Sequence, residues 1–383
     1  MLTGLSPAEH GIVGNGWYYR DTGEIRFWQQ SNALVQGEKL YDKVRSKGLT
    51  TTKMFWWFNQ GANVDWFATP KPHYGSDGSK VFGILDQTGC DLEANLGKFP
   101  FFSFWGPKAG LPSSDWIARA TARVMRQNKP DLTMVYLPHL DYDYQRLSDH
   151  DPARVAEVDA CAGKVIDAAE DIGAQVVVVS EYGLVPVSRP VLINRELRKA
   201  GWLTVRDGPF GEMLMPMDSK AFAVVDHQLA HVYVNGLPKA DVKARLESLD
   251  GIDRVVDPEE LELNHPRSGE LIALAKPDSW FAYYYWLDDA RAPDFATSVD
   301  IHRKPGYDPC ELFITSKAKA MARVAQKLLG FRYRMDVIPL EPKLVRGSHG
   351  LRPDPNDGAV IIGDGAPTDM QMINRYVSEC LSI

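Results

Sequence analysis

Two polar clusters, each following an apolar run, hold much of the chain's candidate chemistry. Val176-Val177-Val178-Val179 leads into Ser180-Glu181-Tyr182-Gly183. Leu132 to Leu137 leads into Pro138-His139-Leu140-Asp141-Tyr142-Asp143-Tyr144-Gln145. Carboxylates at the carboxyl ends of strands in an open α/β sheet stand where a ligand or a metal ion would be held. A third cluster, Gly347-Ser348-His349-Gly350, precedes the apolar residues Ala359 to Ile362. A fourth, His10 to Asn15, lies in a glycine-rich stretch with the chemistry of a loop. Taken alone, Ser-Glu-Tyr-Gly also reads as a plain turn.

The elements that must position these clusters follow from the patterning. Four β-branched residues in a row, without polar alternation, predict a strand buried on both faces in the middle of a parallel sheet. Ser113-Ser114-Asp115 predicts an N-cap for a helix through Met125, and Leu132 to Leu137 then predicts a buried strand. Asp151-Pro152 opens a second helix, with proline at its first position. Val155, Val158, Ala162, Val165, Ile166 and Ala169 recur along it at helical spacing, and Gly173 ends it before the valine strand. Helix, strand, helix, strand with short connections predicts parallel strands joined by right-handed crossovers. If the segment after Leu137 stays extended, His139 shares a face with Asp141.

Earlier in the chain, Leu40 to Val44 reads as helical, Thr51 to Phe58 as a strand and 59–79 as a polar loop. Later, helices are expected over Asn194 to Ala200 and Ala240 to Leu249. Strands are expected over Ala221 to Val225, His231 to Val234 and Leu271 to Ala275. The aromatic block Ser279 to Trp286 reads as packing between this smaller unit and the core. A short strand over Leu312 to Ile314, a helix over Lys317 to Leu329 and a strand over Ala359 to Ile362 complete the chain. The expected class is α/β, a mostly parallel sheet flanked by helices with a small α+β cap. Residues 1–205 would form the first part of the core, 206–285 the cap and 286–383 the return to the core.

Bulk properties exclude several alternatives. With 383 residues, 44% hydrophobic and 24% charged, the composition is that of a globular protein. A net charge of −7 argues against a nucleic-acid surface. The scattered Cys90, Cys161, Cys310 and Cys380 form no CxxC pair, which points to a reducing compartment. Cys161 falls within an expected helix and reads as packing. No apolar run approaches ~20 residues and the first residues lack the pattern of a signal peptide, so a cytoplasmic protein with no membrane partner is expected.

With these pieces in order, the chain resembles the alkaline phosphatase superfamily, and more closely its type I phosphodiesterase/nucleotide pyrophosphatase branch. The resemblance covers most of the chain. It is carried by Thr3-Gly4-Leu5, Pro7 and His10 to Asn15; by Asp141 to Gln145; by Ser180 to Gly183; and by Gly347 to Gly350 with its closing strand. It implies a sheet with two divalent metals at its strand ends, clamping the oxygens of a phosphoryl displacement. Asp141 and His349 match ligands of one metal, and Gln145 stands where that metal's other histidine is found. Glu181 and Tyr182 stand where the second metal has Asp and His, and Asn15 matches the phosphate-binding asparagine. The family's nucleophile, one further aspartate ligand and the first strand would precede Met1.

What the resemblance implies is thus a metal-dependent phosphoesterase-type hydrolase acting on a small phosphorylated substrate: a phosphodiester, a pyrophosphate or a phosphate monoester. Gln145 and Tyr182 replace imidazoles with oxygen donors, so zinc, manganese or magnesium would be bound weakly and activity would be impaired. The alternative is a non-catalytic relative that binds a phosphorylated metabolite or a partner protein. Unpaired strand edges would favour a homo-oligomer. Asp226, His227, His231, Asp300 and His302 compete for a place in the cleft, whereas His10, His73 and His265 read as structural or solvent-facing. A serine hydrolase is disfavoured, because no G-x-S-x-G elbow is present.

Overall fold

The computed structural model describes residues 1–76, 80–147, 151–354 and 358–383. Its largest parallel element is built on Thr51–Met54. This strand pairs in parallel with Trp66–Pro70 on one side and with Leu132–Val135 on the other, and Ile84–Asp86 adds an antiparallel edge. All four residues of Thr51–Met54 are buried. Even Lys53 is inside, its ammonium donating to the Phe58 carbonyl at 2.9 Å, and burial pushes its pKa down to about 7. The Trp66–Pro70 strand lies within the expected polar loop over 59–79. Its Trp66, Phe67 and Thr69 have strand-forming side chains, and Phe67, Ala68 and Thr69 are buried; residues 77–79 of that loop lie outside the described residues.

The helix Leu111–Asn128 covers this sheet, packing Trp116, Ile117, Ala120 and Val124 on Met54, Phe55 and Ala68. It begins before the expected Ser113 cap. Pro112 takes one of the first two helical positions, and the Ser113 hydroxyl donates to the Gly110 carbonyl inside the first turn. The helix Pro152–Asp171 starts where expected, with the Asp151 carboxylate accepting from the Ala153 amide at 2.9 Å.

The valine run departs most from expectation. Only Val178–Val179 is a strand, and it pairs antiparallel with Ile361–Ile362 rather than with Leu132–Val135. None of the four valines is buried, and Val178 is 37% exposed. They face an open cavity of about 4020 Å³, lined by both the valine run and Leu132–Val135. Among the described residues neither strand has a second partner, so the parallel sheet expected from the crossovers does not close. The helix Lys317–Leu328 lies along the same cavity with no residue buried, and Met321 and Leu328 are among its exposed apolar side chains.

The segment after Val135 is not extended. His139–Arg146 forms a helix, so His139 and Asp141 do not share a face. His139 is fully buried, and neither ring nitrogen has a hydrogen-bond partner among the described residues. The short strand expected over Leu312 to Ile314 does not form: Leu312 ends a one-turn 3-10 helix, Pro309–Leu312, which Pro309 opens and the Asp308 carboxylate caps through the Cys310 amide.

A four-stranded antiparallel sheet orders Ala221–Asp226, Leu229–Val234, Leu271–Ala275 and Ile252–Val256, with helix Lys239–Glu247 against it. Tyr283, Tyr284, Tyr285 and Trp286 pack into the core beside it, each at most 1% exposed. Nearby, Lys304 is enclosed with Asp308 and Glu311, its ammonium 2.7 Å from each carboxylate. Among the described residues no helix is long and apolar enough to cross a membrane.

Candidate active site

The helix His139–Arg146 sets out the site. Asp141 and Gln145 are four residues apart, one above the other on one helix face. Gln145 is fully buried, and its Nε2 donates to Asp141 Oδ2 at 2.7 Å. On the far side of the amide, the Tyr307 hydroxyl donates to Gln145 Oε1, also at 2.7 Å. The partners fix which way the amide faces, since a carboxylate only accepts and its neighbour must be the NH₂ group.

His349 reaches this helix because Gly347 allows a very close approach. A Cβ on Gly347 would lie 2.1 Å from the Tyr144 carbonyl oxygen, and the adjacent Arg346 amide donates to the Gln145 carbonyl at 2.9 Å. The result places His349 Nε2 at 3.9 Å from Asp141 Oδ1. Aromatic rings hold the imidazole. Tyr182 stacks on His349 with centroids 3.6 Å apart, His227 lies 3.6 Å from its other side, and Tyr307 lies 3.9 Å from His227. The last ring in the stack is thus the same tyrosine that orients Gln145.

Electrostatics follow from burial. Desolvation pushes Asp141 up to about 6, opposed by the Gln145 amide and by the nearby Tyr182 hydroxyl, whose approach to Asp141 falls outside hydrogen-bond geometry. Desolvation also drives His349 down to about 3, so it is neutral at pH 7. Burial and the Asp141 charge raise the Tyr182 phenol well above its ordinary value, so it stays protonated. Glu181 faces the cavity and is water-accessible. The protein around it, then the Asp141 charge, push its carboxyl up to about 7, against the pull of the Met1 amino group. Water in the cavity moderates that rise.

The other expected residues divide. Asp226 lines the cavity and accepts from the Asn15 backbone amide at 2.7 Å and from Asn15 Nδ2 at 3.0 Å. Burial raises its carboxyl, and the two Asn15 donors oppose that. His227 sits in the turn between two strands with φ of 60° and faces the Ser348 hydroxyl at 3.4 Å. His231 is not among the cavity-lining residues. Its ring spans the Val13 carbonyl, at 3.0 Å, and the Gly269 amide, at 3.3 Å, which makes it a core histidine. Asp300 and His302 line the cavity, where Asp300 meets Arg303 at 3.7 Å and Lys80 at 3.9 Å. Tyr307 and Tyr136 belong to the site and carry no motif by which the sequence could announce them.

Two bonds of ~2.0–2.2 Å, the usual lengths for zinc to nitrogen or oxygen, can bridge the Asp141–His349 gap. Asp141 Oδ1 is buried and has no hydrogen-bond partner among the described residues. An orphaned carboxylate oxygen opposite a neutral imidazole suits one divalent cation. A second cation fits less well: the position expected at Glu181 and Tyr182 offers one carboxylate and a phenol that keeps its proton. Among the described residues no group of three or more His, Cys, Asp or Glu side chains is arranged to hold a metal.

Residues 1–308 match the profile of the type I phosphodiesterase / nucleotide pyrophosphatase family. Among solved structures, phosphonoacetate hydrolase from Sinorhizobium meliloti 1021 in complex with phosphonoacetate aligns with a TM-score of 0.51, covering 76% of this chain and 70% of that one at 18% identity. With phosphonoformate bound, the corresponding values are 0.50, 74%, 69% and 17%. Human ectonucleotide pyrophosphatase / phosphodiesterase 5 aligns with a TM-score of 0.46 over 90% of this chain and 86% of that one, at 14% identity. A sequence search of curated proteins returns no match. At such identities, the likeness to phosphonoacetate hydrolase speaks for an alkaline-phosphatase-like fold alone.

Proposed function

The chain belongs to the type I phosphodiesterase / nucleotide pyrophosphatase family, and on that premise we propose that the cleft around Asp141 and His349 hydrolyses a small phosphorylated compound, slowly and with a single divalent cation. The observation that carries this reading is the orphaned Asp141 Oδ1 facing the neutral Nε2 of His349 at 3.9 Å. Those two groups would hold the cation. When bound, the cation supplies Lewis-acid stabilisation of charge on the phosphoryl oxygens.

The chain's own residues do the rest. Tyr182 and His227 sandwich the His349 ring and fix its plane. Among the described residues Asn15 gives one Nδ2 hydrogen to Asp226, and its other Nδ2 hydrogen can be donated to a phosphoryl oxygen. Glu181, its carboxyl raised above the ordinary value and open to the cavity, can hold or release a proton at a leaving oxygen.

The test is a panel of aryl phosphate monoesters, aryl phosphodiesters and a nucleoside pyrophosphate, assayed with added manganese or zinc. Turnover of at least one class, abolished by Asp141→Ala and with a shifted pH profile in Glu181→Gln, supports the reading. A second reading, binding without turnover, draws on one observation: Asn15 makes two hydrogen bonds to Asp226 instead of presenting both amide hydrogens to the cleft. Phosphate binding with no turnover of any panel member would favour it.

A further inference from the structure

We infer that Gln145 is a hydrogen-bond donor, locked in place by Tyr307, that occupies Asp141 Oδ2 and closes that side of the carboxylate to a metal ion. The inference rests on the proposed cation position at Asp141 and His349 and concerns how strongly that position can bind. Gln145 is fully buried and Tyr307 is 2% exposed, so neither exchanges its partner for bulk water. The Tyr307 ring lies 3.9 Å from the His227 ring and 5.6 Å from the Trp28 ring, which leaves its phenol little freedom to swing away. The chain of donors runs one way: the Tyr307 hydroxyl into Gln145 Oε1, then Gln145 Nε2 into Asp141 Oδ2.

That direction decides the role of the side chain. To offer its oxygen to a cation beside Asp141, the Gln145 amide would have to turn over. The Tyr307 proton would then face an NH₂ group, and the buried Asp141 Oδ2 would lose its donor. A buried polar group stripped of its partner is costly, so the present orientation opposes chelation. One protein donor, held in place by a second, thus does for Oδ2 what a metal would do, leaving Oδ1 as the oxygen open to a cation. Asp141 is limited to one-oxygen coordination, and Gln145 adds nothing to it.

The experiment is calorimetric titration of manganese and of zinc into the full chain and into Gln145→Ala, Tyr307→Phe and Gln145→His, with thermal melts to establish that each is folded. Metal affinity is the readout, so the result does not depend on turnover. Gln145→Ala releases Oδ2, and Tyr307→Phe frees the amide to turn. Each is expected to raise manganese affinity at least threefold. Gln145→His is expected to raise zinc affinity at least tenfold. If Gln145→Ala does not fold, Tyr307→Phe decides by itself, because it leaves the helix side chains in place. Weaker or unchanged affinity in the folded Gln145→Ala and Tyr307→Phe chains overturns the inference, since Gln145 would then be a ligand or a bystander. If the unaltered chain binds no metal while Gln145→His does, the inference stands and the single-cation reading falls. If no variant binds metal, the inference falls.

Discussion

His349 Nε2 lies 3.9 Å from Asp141 Oδ1, an oxygen that is buried and has no hydrogen-bond partner among the described residues. The carboxylate is uncompensated on that side, and the imidazole opposite is neutral because burial disfavours its charged form. Protonation of Asp141 or a bound cation is the local remedy.

The first prediction is a pH signature. Burial raises Asp141 to about 6 from its ordinary 3.8. A carboxyl whose folded pKa is raised holds its proton longer in the folded state, so its cost to stability is absent below pH ~4, grows between the two pKa values and is complete above the folded one. Asp141→Asn removes that cost. The variant is expected to be more stable than the parent at pH 8, by up to about 3 kcal/mol at 1.36 kcal/mol per unit, with the difference gone near pH 4. Urea melts at both pH values measure it; a constant difference would contradict the raised carboxyl.

A second prediction separates the ring of Tyr182 from its hydroxyl. The phenol stays protonated and the ring stacks on His349 with centroids 3.6 Å apart. Tyr182→Phe is expected to keep metal affinity within about twofold, whereas Tyr182→Ala is expected to lose about 1–2 kcal/mol of stability with the stack. Calorimetry and urea melts read the two effects. A tenfold loss of metal binding in Tyr182→Phe would show that the phenol is a ligand after all.

The third prediction concerns the enclosed cation. Lys304 pairs with both Asp308 and Glu311 at 2.7 Å each, with all three side chains at most 3% exposed. Lys304→Ala leaves two buried carboxylates together and is expected to cost about 3–5 kcal/mol. Urea denaturation of the folded fraction at pH 7 checks the size; a loss under 1 kcal/mol would mean that water reaches the cluster.

The open cavity gives a fourth prediction. Leu132–Val135 and Val178–Val179 each have a strand partner on one side only among the described residues, and the cavity they line is bordered by apolar side chains. Unpaired apolar edges invite strand addition from another chain. The chain is expected to bind a hydrophobic dye and to associate as its concentration rises, and Val178→Lys is expected to suppress the association without lowering the melting temperature. Analytical ultracentrifugation across a concentration series follows it. A monomer at all concentrations would contradict the open edge.

Particular residues show how far the sequence could be read. The strands around Met54 and Met134 and the helix opened by Asp151-Pro152 were legible because local patterning and caps agree with the fold. Val176 to Val179 misled: the run has the composition of a central strand, but burial depends on neighbours that a run of residues cannot specify. In the site, Asp141 and His349 were legible as residues of one cleft, and the distance between them was not. Gln145 was legible as a position but not as a role, because which end of an amide faces a carboxylate depends on Tyr307, which is 162 residues away in sequence. His231 looks like a cleft residue because the sequence pattern starts its strand there; the strand begins at Leu229, which places His231 inside it. Its inward face and backbone partners are set by Val13 and Gly269, which lie on other segments.

The most direct test of the central claim is crystallography of the full chain soaked with zinc, using anomalous scattering at the zinc edge. One peak is expected, within about 2.0–2.2 Å of both Asp141 Oδ1 and His349 Nε2, with the Gln145 amide nitrogen still turned toward Asp141 Oδ2. A peak bonded to Gln145 Oε1, a pair of peaks within the cleft, or no peak between Asp141 and His349 at millimolar zinc would contradict it.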